Sequence, residues 1–288
     1  MGVFKYNNLL TYSFLTSPEI MNLSGVELSN KLNLKPYLIN RYRRKLKLSS
    51  VYSSKLKLGK IMRGYSLPDW QIGLIVGTLL GDSNLCKRSS GVRLRMSHGA
   101  KQKEYIELKY KLLHSLTVGD IHKGLDVKTN SVYYNFSTVQ HPDLEKLYDL
   151  FYKDNIKYVS EEALDLLTIP GLVLWFFDDG SRDSNVYDIS TCSFTLEDHK
   201  ILRKYLFKKF GIKTTPLPRN NGTKTYWRLY VARDSSKILQ KYLLDFYIPC
   251  MRHKIINPKS IQSSSETTRK ALWDDLISQS EDIVRTLQ

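Results

Sequence analysis

Two acidic residues recur in the same setting. QIGLIVGTLLGDSN (71–84) and IPGLVLWFFDDGSRDS (169–184) are apolar runs that end in an acid, Asp82 in the first and Asp179 in the second, 97 residues apart. If both runs are helices, each acid stands at a C-terminus, where the macrodipole is negative and a carboxylate is disfavoured. Local stability therefore did not choose them. Two carboxylates brought together raise each other's pKa unless a cation lies between them. Oxygen ligands that leave room for water describe a magnesium site, for which manganese can substitute. Paired metals about 3.5 to 4 Å apart stabilise both the attacking and the leaving oxygen of a phosphoryl displacement. Taken singly, an aspartate after an apolar helix is usually a plain loop residue; its repetition in matched halves of a basic chain reverses that reading.

The elements that must position these acids also repeat. Ahead of Asp82, Gly73, Gly77 and Gly81 fall at i, i+4 and i+8 and share one helix face. Each glycine costs about 1 kcal/mol against alanine inside a helix, so close approach of another helix is the natural reason for them. Leu174, Trp175, Phe176 and Phe177 of the second run supply bulk expected to rest in the groove the glycines leave. After each acid come an alternating strand (91–99 and 186–193), a helix (101–116 and 196–211), a hairpin (120–138 and 212–232) and a closing helix (141–152 and 235–247). The second hairpin carries the turn signal Asn221-Gly222. With short strands near Leu85 and Ser184, the order αββαββα occurs twice, which predicts an α+β fold of two pseudo-symmetric repeats.

Charge narrows the partner. The 288 residues hold 44 Lys plus Arg against 28 Asp plus Glu, a formal net charge of +16, which points to a polyanion. Residues 1–70 hold 12 basic and 3 acidic side chains. Within them NLSGVELSNKLNLKPYLINRYRRKLKL reads as two short helices, Ser24 capping the first and Pro36 opening the second. Leu28, Leu32, Leu34, Ile39 and Leu46 are its expected core, and Arg41, Arg43, Arg44, Lys45 and Lys47 its basic face. Two readings stand for that face: a helix-turn-helix-like contact to nucleic acid phosphates, or a solvated side of a packing helix. The tail from Asn257 holds 4 basic and 5 acidic residues, with Leu272, Trp273, Leu276, Ile277, Ile283, Val284 and Leu287 at helical spacing; it is expected to pack on the protein. The expected divisions are a basic, mainly helical N-terminal extension (1–68), a first repeat (69–160), a second repeat (161–257) and a helical C-terminal tail (258–288).

Other classes are disfavoured. Cys86, Cys192 and Cys250 are odd in number and far apart, suggesting neither a disulfide framework nor a cysteine zinc site. The longest apolar runs are about half of the roughly 20 residues a membrane-spanning helix needs, so no membrane partner is expected. The start, MGVFKYNN, carries no legible sorting signal. Richness in lysine, asparagine, isoleucine and tyrosine is what an AT-rich mitochondrial or chloroplast gene encodes.

IVGTLLGDS (75–83) and LVLWFFDDG (172–180) resemble the two signature helices of the LAGLIDADG homing endonucleases, over residues 71 to about 257. The likeness is to the single-chain, two-repeat branch that includes the mitochondrial omega-intron endonuclease, whose second motif is likewise aromatic and ends Asp-Asp-Gly. The resemblance implies metal ligation by Asp82 and Asp179, with Asp178 structural, and a saddle of antiparallel sheets on DNA. It implies a monomeric, site-specific double-strand endonuclease that cuts across the minor groove and leaves short 3′ overhangs. An alternative within the same family is a maturase that grips intron RNA. The first motif departs from the pattern by ending in Ser83. The branch also carries one lysine per half near the scissile phosphate, and Lys157 (NIKYVS) and Lys254 (IPCMRHK) match; such a lysine holds a water or steadies the phosphorane charge, or else only clamps phosphate or is solvated.

Strand alternation sends Val92, Leu94 and Met96 inward and Arg93, Arg95 and Ser97 outward. It puts Lys224, Tyr226, Arg228 and Tyr230 on one face and Thr225, Trp227, Leu229 and Val231 on the other. Arg93, Arg95, Lys224, Tyr226 and Arg228 are the candidate DNA readers, since a two-stranded ribbon fits the major groove; ordinary exposed basic strands look the same. His98, His114, His122, His141 and His199 have no zinc spacing and are expected at the surface or in packing.

Overall fold

Glycine, not aromatic bulk, brings the two halves together. The first motif forms helix α5 (Asp69–Leu80) and the second α9 (Ile169–Asp179), where Thr168 caps the start by accepting the Gly171 amide. A Cβ on Gly77 would lie 1.9 Å from the Gly171 carbonyl oxygen, and one on Gly171 would lie 2.1 Å from that of Gly73. The helices therefore touch backbone to backbone, and the expectation that residues 174–177 fill the glycine groove is corrected: Gly171, Thr168 and Asp178 occupy it. The aromatics serve the cores instead, Phe176 meeting Tyr187 (ring centroids 4.9 Å) and Phe177 meeting Tyr105 edge-on (6.2 Å).

The computed structural model describes residues 12–15, 17–21, 23, 25–45, 59, 61–220, 222–223, 225–256 and 266–287. Ser24, Leu46, Lys47, Asn221 and Lys224 lie outside these, and of Arg43, Arg44 and Lys45 only the backbone is described. The chain divides into two compact units, 1–61 and 62–288. In the first are α1 (Tyr12–Leu15), α2 (Pro18–Met21), α3 (Gly25–Leu32) and α4 (Pro36–Lys45). Leu15, Ile20, Leu28, Leu34 and Ile39 form a small core. Asn33, with φ of 50°, makes the turn between α3 and α4, and Pro36 opens α4 as its fixed φ suits. Tyr37 and Arg41 face solvent.

The second unit runs from α5 through β1 (Asn84–Arg88), β2 (Gly91–Gly99), α6 (Lys103–Leu112), β3 (His122–Asp126), β4 (Ser131–Ser137) and α7 (Pro142–Phe151) to a short ribbon, β5 (Tyr152–Lys153) and β6 (Ile156–Lys157). After α8 (Glu161–Asp165) and α9 the order recurs as β7 (Gly180–Asp183), β8 (Val186–Ser190), α10 (Leu196–Phe210), β9 (Thr214–Asn220), β10 (Thr225–Val231) and α11 (Arg233–Asp245). The antiparallel sheets have matching orders, β1-β2-β4-β3 and β7-β8-β10-β9. Val92, Leu94 and Met96 are buried while Arg95 and Ser97 are exposed, and Leu229 and Val231 are buried on β10, as the alternation predicts. A capping box at Thr195 and Asp198 and a left-handed Gly211 (φ 70°) set the length of α10.

Residues 62–68, assigned by sequence to the extension, belong with the repeats. Met62 and Leu67 are buried, and the Leu67 amide donates to Asp143 Oδ2 at 2.9 Å. Helix α12 (Glu266–Leu287) packs on α6 and α11. Trp273 buries its ring against Phe246 and donates to the Phe246 carbonyl at 3.0 Å. Ser280 is wholly buried beside Gln71. No helix among the described residues is long and apolar enough to cross a membrane.

Gly77→Ala should lower the unfolding free energy in urea by at least about 1 to 3 kcal/mol, since overpacking here meets backbone that cannot turn aside. Gly99→Ala, whose added Cβ meets nothing within 4 Å, should stay within about 0.5 kcal/mol of the unmodified chain.

Candidate active site

The helix crossing delivers both acids to one place. Asp82 follows α5 after a single capping glycine, Gly81, and Asp179 is the last residue of α9. Burial is the largest cause raising the Asp179 pKa, to about 7, followed by the charges of Asp82 and Asp178. Asp82 is also raised, by burial and then by Asp178, against the pull of Lys109, His98 and Lys254; 44% of its side chain remains open. Three carboxylates thus share one field, the arrangement that a hard divalent cation relieves.

The third carboxylate is neutralised from inside the protein. Asp178 Oδ1 accepts from Lys109 Nζ at 2.6 Å and from Tyr105 Oη at 2.8 Å, and Oδ2 accepts from the Asp82 amide at 3.3 Å. Both charged side chains of this pair are fully enclosed. Lys109 also donates to His98 Nε2 at 3.1 Å. Burial and the Lys109 charge push the His98 pKa down to about 3, so the ring is neutral, its Nδ1–H turned to Gln102 Oε1 at 3.1 Å. Asp82, His98 and Asp178 bring one ligand atom each within 4.8 Å of one another. Lys109 already bonds two of the three members of that cluster, Asp178 and His98.

Two lysines close the site symmetrically. Lys157, on β6, donates to the Ser83 and Gly81 carbonyls at 3.2 and 3.5 Å, just beyond α5. Lys254, ending the turn Pro249–Lys254, donates to the Phe177 and Asp178 carbonyls at 2.6 and 3.0 Å at the end of α9. Each cation sits on orphan carbonyls at the negative end of a motif helix. Burial lowers both pKa values, that of Lys157 to about 8, and the three aspartates oppose the shift.

On the sheets, Arg95 is exposed and Arg93 half-buried. Tyr226 is half-buried on the same face of β10 as Arg228. Arg228 is bonded to Asp188 Oδ1 and donates to Ser181 Oγ at 3.0 Å, so its charge is answered within its own sheet.

The description "LAGLIDADG DNA endonuclease family" matches residues 72–239. The chain belongs to this family. Similar proteins include the cytochrome b mRNA maturase bI2 of Saccharomyces cerevisiae, 29% identical over 203 residues, covering 65% of this chain and 47% of the relative. Protein RecA of Mycobacterium shimoidei is 37% identical over 209 residues, covering 66% of this chain and 47% of the relative. DNA endonuclease I-ChuI of Chlamydomonas applanata is 29% identical over 209 residues, covering 66% of this chain and 96% of that protein. The chain spans about half the length of the first curated relatives it matches. In fold it resembles the homing endonuclease I-WcaI bound to its DNA recognition sequence, with a TM-score of 0.60 at 19% identity, over 68% of this chain and 91% of that one.

Within this LAGLIDADG frame the departure at Ser83 is harmless to the turn. Gly180, its counterpart, has φ of −76°, so left-handed backbone is not what the motif requires there. Gly180 is small because a Cβ would lie 2.4 Å from the Phe176 ring, whereas Ser83 is buried and its amide donates to the Thr78 carbonyl at 2.9 Å. Sequence reasoning put His98 among surface or packing residues and did not single out Tyr105 or Lys109. A signal existed: Tyr105, Ile106, Lys109 and Leu112 share the buried face of α6, and a lysine on such a face needs a buried acid.

In chelator, Asp179 is held well above its ordinary 3.8, so its contribution to stability is present at acid pH and lost as pH rises through about 7. Thermal melts of Asp179→Asn against the unmodified chain should show a gain that grows from about pH 4 to pH 8. Magnesium should restore the unmodified chain at the alkaline end and do little for the variant; parallel melting at all pH values would contradict the assignment.

Proposed function

We propose that this chain is a site-specific double-strand DNA endonuclease, encoded within an organellar intron and acting as a monomer on its target. The observation that carries this reading is the meeting of Asp82 and Asp179 across the α5–α9 crossing with one lysine at each helix end. A bound magnesium or manganese ion would lower the pKa of a coordinated water and stabilise the leaving 3′ oxygen. Asp82 and Asp179 would hold it, each serving one strand across the minor groove, so that short 3′ overhangs remain. Lys157 and Lys254 face the position of a scissile phosphate and steady the charge that builds on its oxygens. Arg93, Arg95 and Tyr226 lie on strands whose faces would meet the DNA, and Lys224, outside the described residues, joins them by sequence alternation alone. Arg228 supports that surface through Asp188. Arg41, Arg43 and Arg44 on α4 extend the grip to flanking phosphates, the N-terminal unit being a helix-turn-helix-like module with its own core.

A second reading is a maturase that holds intron RNA, and the similarity to a protein named cytochrome b mRNA maturase bI2 favours it. Retention of both acids and both lysines favours the nuclease. Filter binding of intron RNA against target DNA separates the two.

The decisive assay is magnesium-dependent cutting of a plasmid carrying the uninterrupted host-gene junction. Asp82→Asn and Asp179→Asn should each slow it by about 10² or more, and Lys157→Met or Lys254→Met by about 10 to 10². Unchanged cutting in the aspartate variants would sink the proposal. In binding measured without metal, Arg93→Ala with Arg95→Ala should flatten the salt dependence by about 1 to 2 units of slope; an unaltered slope would remove these residues from the interface.

A further inference from the structure

Asp178 stands in the second motif where Gly81 stands in the first. It is a buried acid in a chain whose other motif manages with no side chain at that place. Its partners all come from the first repeat: Lys109 and Tyr105 of α6, and the amide of Asp82. Lys109 is itself saturated, by Asp178, by His98 Nε2 at 3.1 Å and by the face of the Tyr105 ring at 4.4 Å. Tyr105 is anchored a second time through the Leu174 carbonyl at 2.9 Å. The Asp178 carboxylate also packs on Gly81, where an added Cβ would lie 2.5 Å from Asp178 Cβ. One rigid, enclosed group therefore touches both residues of the turn that carries the first metal-facing acid out of α5.

We infer that Asp178, locked by Lys109 and Tyr105, is a positioning residue for Asp82: a buried clamp reaching from the second motif into the first repeat that fixes where Asp82 presents its carboxylate. The inference rests on the reading of Asp82 and Asp179 as the acids of the two strand cuts. Gly81 has no side chain with which to return the contact to Asp179. The side-chain contacts of the clamp therefore reach the Asp82 turn and have no counterpart at Asp179, so loss of the clamp falls more heavily on the strand that Asp82 serves.

The test replaces the ion pair by apolar residues, Lys109→Met with Asp178→Leu, which avoids leaving a buried charge uncompensated. Tyr105→Phe, which removes one hydrogen bond of the clamp and leaves the ion pair intact, is the second variant should the first not fold. Three readouts are taken: thermal melting, hydrogen exchange of the 81–84 amides in the metal-free protein, and strand-resolved plasmid nicking. The expected result is a folded variant whose 81–84 amides exchange faster. The strand that Asp82→Asn slows more should be cut about a hundredfold more slowly, the loss that a misplacement of about 1 Å brings, with the other strand slowed less than about tenfold. Nicked plasmid should accumulate. Equal slowing of both strands, no slowing of either, or unchanged exchange would overturn the clamp. If the unmodified protein cuts nothing, the nuclease reading falls, and the exchange measurement alone still decides whether Asp178 holds the Asp82 turn.

Discussion

The contact on which the site depends is between main chains. Gly77 of one motif helix meets the carbonyl of Gly171 on the other, and Gly171 meets that of Gly73. No side chain of any size fits between them, which lets the helices approach as closely as main-chain contact allows. Glycine weakens a helix by raising the entropy lost on folding; here that loss is offset by apolar burial along helices whose remaining faces are almost wholly enclosed. The sheets follow from the same crossing, because β1 and β7 leave directly from the ends of α5 and α9.

Such a crossing concentrates negative charge. It joins two helix C-termini and three aspartates, and the protein answers each source differently. The helix ends receive Lys157 and Lys254, each on main-chain carbonyls. Asp178 receives Lys109 in an enclosed pair. Asp82 and Asp179 receive no such enclosed partner among the described residues, and burial first, then the charges of the neighbouring aspartates, raises both their pKa values. A site that keeps two acids unrelieved while pairing the third is set up for an external cation rather than for stability alone.

Positive charge is divided with equal purpose. The N-terminal unit is strongly basic and has its own apolar core. The acidic-leaning tail instead turns Trp273, Ser280 and Val284 inward against the repeats. A basic chain suits a duplex and a folded RNA alike, since both present phosphate, so the proposed chemistry at Asp82 and Asp179, and not charge, would tell a nuclease from a maturase.

Much of this was legible in the chain. Period-two alternation in GVRLRMSHG and TYWRLYV told inward from outward faces, glycines at four-residue spacing announced a helix contact, and duplication of an acid after two apolar runs pointed to the candidate site. These are local patterns, set by backbone geometry that neighbouring residues share. What they could not reveal is what lies across the contact. Aromatic bulk beside a glycine groove looked like its filling, yet Gly171 fills it, because the crossing angle is fixed by backbone approach and not by residue volume. Lys109 drew no notice, His98 read as a surface or packing residue and Arg228 as a candidate DNA reader, because an ion pair is a property of two positions that only folding brings together. The residues named the candidate acids; the tertiary structure decided which of them were paired, since burial and pairing, not residue type, determine whether a carboxylate is answered.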